Sequence, residues 1–166
     1  MTGFKTLLAS AVLAGIASSH PQPQVGKRQA TTVPYGVAIT SCTVPGTVAL
    51  TFDDGPYIYT EGLLDTLEAA GHRVTFFQNG LNWDSIYNYN STLQRMIAGN
   101  HQVCSHTWSH ADLTTLSTAE ATLEMTELEV AFQAIIGMIP TYMRPVSTFE
   151  QCLLINLMVE IAIYLL

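Results

Sequence analysis

The chain has 166 residues and a net charge of −7, with six Lys and Arg against thirteen Asp and Glu. No basic stripe runs along it, so the electrostatic footprint of a nucleic-acid binder is missing. An acidic chain of this length suits one domain that buries about two thirds of its unfolded surface and meets a neutral or cationic partner.

Residues 1–19 read as a secretory signal peptide. Lys5 supplies the positive region, Thr6 to Ser18 is apolar or small, and Gly15-Ile16-Ala17 or Ala17-Ser18-Ser19 offers a cleavage site. The expected location is therefore secreted, extracellular or in a cell wall. The apolar run is too short to span a bilayer, and no transmembrane segment is expected. Residues 20–28, with Pro21, Pro23 and the dibasic Lys27-Arg28, read as a pro-segment or linker, which leaves 29–166 as the domain.

Within the domain, Gly46 to Phe52 predicts a buried strand, with Asp53-Asp54-Gly55-Pro56 as its C-terminal turn. Leu63, Leu64 and Leu67 recur at helical spacing between Thr60 and Ala70, and Gly71 ends that helix. Val74 to Phe77 is β-branched and aromatic, a second strand closed by an Asn79-Gly80 turn. Ser91 is the expected cap of a helix carrying Leu93, Met96 and Ile97, stopped by Gly99-Asn100. Gln102 to Ser105 predicts a third strand. Ser117 and Glu120 form a capping box for a long helix with Ala121, Met125, Leu128, Phe132 and Ile135 on one apolar stripe. Tyr142-Met143-Arg144 reads as the next strand. Strand and helix alternate, so the expected class is α/β with parallel strands, whose chemistry gathers at their C-terminal ends.

Three cysteines, Cys42, Cys104 and Cys152, leave at least one free or intermolecular, and Cys104 is expected to be a buried thiol. Asn90-Ser91-Thr92 is a glycosylation sequon in a polar, loop-like stretch.

One constellation carries chemistry. Thr51-Phe52-Asp53-Asp54-Gly55-Pro56 is answered by His106-Thr107-Trp108-Ser109-His110. An Asp-Asp-Gly-Pro tetrapeptide alone is an ordinary turn. Joined to two histidines four apart, it supplies one carboxylate and two imidazoles as metal ligands, with positions left open for water and substrate. The second carboxylate is then free to act as a base. Adjacent carboxylates repel, and a divalent cation between them relieves that repulsion. This inventory suits metal-assisted hydrolysis.

These two segments, with Arg144-Pro145 after them, resemble the three signatures of the polysaccharide deacetylases (carbohydrate esterase family 4, the NodB homology domain). Ser41-Cys42-Thr43-Val44-Pro45-Gly46 is most similar to fungal chitin deacetylases. The resemblance implies Asp54, His106 and His110 as metal ligands, Asp53 as the catalytic base and Arg144 as the residue that holds it. Zinc is the expected ion, with cobalt, nickel or iron able to substitute. Among the aromatics, Trp108 is the best placed to bind substrate by stacking on a sugar. The implied fold is a deformed (β/α) barrel, here incomplete. The family continues past Arg-Pro with a second Pro and an aromatic, then an Asp-rich motif and a late histidine that protonates the leaving amine. This chain carries Val146-Ser147, no histidine after His110 and no aspartate after Asp112. It is expected to diverge after 145 and to be truncated, with Cys152 resembling one member of the family's local cysteine pair without its mate. Loss of the late acid is expected to cost on the order of a hundredfold to ten-thousandfold.

The resulting expectation is a secreted, monomeric, metal-dependent deacetylase that hydrolyses the N-acetyl groups of chitin. Three alternatives stand beside it. The substrate could be O-acetylated xylan or peptidoglycan, the chain a catalytically impaired glycan- or metal-binding homologue, or the reading frame a fragment.

Overall fold

Short β-branched and aromatic runs, each followed by an amphipathic helix, build the scaffold that the alternation predicts. The computed structural model describes residues 36–146. The expected leader and linker, Cys152 and the divergent segment from Ser147 onward lie outside the described residues. In chain order the elements are β1 (Thr51–Gly55), α1 (Thr60–Ala70), β2 (Thr75–Gln78), α2 (Asn90–Ala98), β3 (Gln102–Ser105) and α3 (Thr118–Ile136). Short 3₁₀ turns at Ile86–Tyr89 and Leu113–Thr115 precede α2 and α3.

The three strands form one parallel sheet in the order β1-β2-β3, with Phe76 opposite Phe52 on one side and Val103 on the other. This is the expected α/β architecture with parallel strands. Its core gathers Leu64 and Leu67 of α1, Phe76 of β2, Leu93 of α2, and Leu128 and Phe132 of α3. The predicted apolar stripe of α3 is buried at all five positions. Its capping box is present: the Ser117 hydroxyl accepts from the Glu120 N–H, and the Glu120 carboxylate accepts from the Ser117 N–H at 2.8 Å. Those bonds from Ser117 hold the Glu120 carboxyl below its ordinary value. Gly71 ends α1 at φ 66°, a left-handed backbone that costs glycine little. Arg95 of α2 reaches Glu61, Asp65 and Glu68 of α1 at 2.7, 2.6 and 3.0 Å and ties the two helices together.

Several boundaries differ from expectation. The first strand was expected at Gly46 to Phe52, but it spans Thr51–Gly55, and residues 47–50 are exposed, Val48 by 89%. A strand lasts only as long as its neighbour supplies donors and acceptors, and β2 has four residues. Asp53-Asp54-Gly55, expected as a turn, therefore belongs to the strand. The register slips there, from Phe52↔Phe76 to Gly55↔Gln78, so one extra residue is accommodated as a bulge. The second strand is displaced by one residue from Val74–Phe77 to Thr75–Gln78. Ser91 does not cap α2; the 3₁₀ turn runs into the helix, whose N-cap is Tyr89 without a side-chain hydrogen bond. Asn90 is accordingly the first residue of a helix, not part of a loop, and is exposed. The strand expected at Tyr142–Arg144 is a single parallel bridge, Met143 beside Ser105, with the Arg144 N–H donating to the Ser105 carbonyl at 2.9 Å. No helix among the described residues is long and apolar enough to cross a membrane.

Candidate active site

The bulge in β1 sets the site. Alternation along a regular strand would send Asp53 and Asp54 to opposite faces. The extra residue, with Asp54 at φ 67°, re-aims them so that both act at the C-terminal end of the sheet.

His106 follows β3 directly, and its N–H donates to the Gln78 carbonyl at 2.9 Å, extending the ladder by one residue. The chain then turns in a tight loop through Thr107 at φ 72° to His110 at φ 60°. A left-handed backbone at a β-branched residue is strained and persists only where its surroundings over-determine it. Asn79, buried after β2, donates its side-chain amide to the carbonyls of both His106 and Thr107. The Gly80 and Leu81 N–H groups donate to the Trp108 carbonyl at 2.9 and 2.7 Å. Gly80 is required here, since a Cβ would lie 1.8 Å from Cε3 of the Trp108 ring. Glu124 of α3 accepts from the Ser109 N–H at 2.7 Å and from its hydroxyl at 2.6 Å.

Held in this way, His106 and His110 turn Nε2 toward the same oxygen. Asp54 Oδ1 is 3.3 Å from His106 Nε2 and 2.9 Å from His110 Nε2, and one donor atom from each residue lies within 4.8 Å of the others. His106 is only 3% exposed, whereas His110 and Asp54 are partly open. The His106 Nδ1 lies 2.7 Å from the Arg144 carbonyl, which can only accept, so Nδ1 carries the proton. With Nδ1 so engaged, Nε2 is the ring atom left to face the Asp54 carboxylate oxygen. Asp54 Oδ1 is buried and has no hydrogen-bond partner among the described residues. A lone pair facing an orphaned carboxylate oxygen is repulsive unless a cation lies between them. Spacings of this size suit donors that share one ion at about 2 Å each, so the residues fit a divalent metal.

Asp53 points elsewhere. Arg144 Nη1 is 2.8 and 2.9 Å from its two oxygens and 2.9 Å from the Thr51 hydroxyl, and the guanidinium sits 4.1 Å over the Phe77 ring. The arginine fixes the carboxylate while its own plane is supported from below. One carboxylate is thus left for a cation and the other is oriented beside it. This arrangement can hold a Lewis acid and a base on one face.

Trp108 is half-buried and packs on the core; its ring is 6.4 Å from Tyr87 at 57°. Cys104 is buried, and burial pushes its thiol up to about 12 against a smaller opposing pull from Arg144. It stays outside the ligand cluster. His72 is exposed, and Asp112 accepts from the Thr114 N–H to start a 3₁₀ turn. Sequence reading missed Thr51, Phe77, Asn79, Gly80 and Glu124 as supports. An Asn-Gly pair after a strand reads only as a turn, and a glutamate on a helix face carries no local sign of its loop partner.

The family described as polysaccharide deacetylase matches residues 40–152. A chitin deacetylase of a Pestalotiopsis species is 56% identical over 138 residues, 83% of this chain and 45% of its own length. A chitin deacetylase of Colletotrichum lindemuthianum is 45% identical over 143 residues, 85% of this chain and 56% of its own. The solved structure of the Colletotrichum enzyme superposes with a TM-score of 0.70, covering 76% of this chain and 57% of that one. Peptidoglycan deacetylase PdaC of Bacillus subtilis superposes at 0.55 with 39% identity, covering 58% and 47%. The chain spans about half the length of the curated relatives it matches.

Proposed function

Because this chain belongs to the polysaccharide deacetylase family, we propose that it carries the metal and base site of a hydrolase that removes N-acetyl groups from chitin. The observation that carries this reading is the orphaned Asp54 Oδ1 faced by two imidazole nitrogens, with Asp53 held beside it by Arg144. Chitin is favoured by the chitin deacetylase at 56% identity, above the probable peptidoglycan-N-acetylglucosamine deacetylase of Arthroderma benhamiae at 51%. The apolar leader supports action outside the cell, where a glycan would be met and where the exposed Asn90 could be glycosylated.

Asp54, His106 and His110 would hold the ion, and zinc suits two imidazoles and a carboxylate best. When bound, such an ion polarises a carbonyl oxygen and acidifies water. Asp53 takes the proton of the attacking water as its oxygen adds to the acetamide carbon. The carbon–nitrogen bond then breaks, acetate leaves, and the proton ends on the glucosamine nitrogen. Arg144 keeps Asp53 aimed through both steps and balances its charge. Trp108, walling the loop between the histidines, would limit where a sugar ring lies.

The test is acetate release from chitin oligomers, peptidoglycan and acetylated xylan by the full chain with zinc or cobalt supplied. Release from chitin is expected, and Asp53→Asn should lower it by about a hundredfold or more. Binding to chitin without release, at any metal concentration, would replace the hydrolase reading with a binding one.

A further inference from the structure

The loop between His106 and His110 is clamped by three elements, and the clamps divide its residues. Asn79 takes the carbonyls of His106 and Thr107, the Gly80–Leu81 backbone takes that of Trp108, and Glu124 takes both donors of Ser109. The first two clamps secure the half that contains His106, which is also held through Nδ1 by the Arg144 carbonyl. The Glu124 clamp acts on the residue directly before His110, a ligand that is half-exposed and has its backbone at φ 60°. A carboxylate that meets an N–H and a hydroxyl of one residue at 2.7 and 2.6 Å fixes both its position and its rotation. Glu124 lies on α3, whose buried stripe anchors it in the main core, so the clamp is referred to the rigid body of the domain.

We propose that Glu124 is a positioning residue for the metal site, fixing His110 through Ser109 so that its Nε2 meets Asp54. This rests on the reading of Asp54, His106 and His110 as ligands of one ion. Without the clamp, the left-handed backbone at His110 relaxes and the third ligand is lost from the set most of the time, while His106 and Asp54 stay in place. Loss of a supporting group of this kind typically costs about 10- to 100-fold in metal affinity.

The experiment titrates the metal-free full chain with cobalt(II), reading visible absorption for coordination and zinc competition for affinity. Glu124→Ala is expected to weaken affinity by about 10- to 100-fold and to alter the cobalt bands. Glu124→Gln should restore most of both, because its amide oxygen accepts from the Ser109 N–H and its amide N–H donates to the hydroxyl. Ser109→Ala, which deletes one of the two bonds and little volume, should lose an intermediate amount, and it carries the test if Glu124→Ala fails to fold. Glu127→Gln, an exposed acid on the same helix, should match wild type. Wild-type affinity and bands in both Glu124→Ala and Ser109→Ala would overturn the proposal and leave the metal site standing. Failure of the wild-type chain to bind cobalt or zinc would overturn the metal reading and the proposal with it.

Discussion

The two ends of β3 each carry a buried histidine, His101 entering the strand and His106 leaving it, and their lone pairs meet different fates. At the N-terminal end, His101 Nδ1 accepts from the Val74 N–H at 3.2 Å, and the ring stands edge-on to Phe76, 5.3 Å between centroids. Its acceptor is used up inside the fold. At the C-terminal end, His106 donates through Nδ1 to a carbonyl and leaves Nε2 facing Asp54. Burial is nearly the same, 9% exposed against 3%. What separates a structural histidine from a candidate ligand here is therefore which nitrogen the surrounding backbone occupies, and with which polarity.

The comparison breaks most sharply on metal binding. His106→Ala should lower zinc affinity by more than about 100-fold, exceeding the loss expected from any supporting group, when measured by calorimetry on the metal-free chain. His101→Ala should leave that affinity unchanged. A comparable loss in both would mean that the two ends are not functionally distinct.

Stability should divide the other way. His101→Ala leaves the buried Val74 N–H without its acceptor and should cost about 1–3 kcal/mol in urea unfolding of the metal-free chain. A loss indistinguishable from zero would show that the imidazole contributes no hydrogen bond there.

The smallest effect is in pH. Burial holds His101 below its ordinary value, so the unfolded chain takes up a proton at a higher pH than the folded one. The neutral ring's contribution is complete above about pH 6.5, declines as pH falls below that, and levels off once the folded-state value is passed. Unfolding midpoints of the metal-free protein should therefore be lower at about pH 5.5 than at about pH 7.5. His101→Gln, which keeps an acceptor and cannot titrate, should flatten part of that slope. An unchanged slope would assign it to other groups.

Much of this molecule was legible in the residue order because the signals are local. Gly71 stops α1, Ser117 and Glu120 box the start of α3, and the stripe from Ala121 to Ile135 faces the core, each within a few turns of chain. The candidate ligand inventory was legible for the same reason: two histidines four apart and an aspartate pair can be read without knowing what they face. Other features only the tertiary structure decided. Where β1 begins depends on the length of β2, and the bulge that separates the tasks of Asp53 and Asp54 exists only once the strands pair. Ser91 is a good cap in isolation, yet the 3₁₀ turn before it already runs into the helix. Asn79, Gly80 and Glu124 matter through contacts with a loop on another element, and Arg144 meets Asp53 across 91 positions of chain. Periodicity and capping are properties of neighbours in sequence, whereas the aim of a carboxylate or the free nitrogen of a histidine is set by hydrogen bonds that form only when distant backbone arrives.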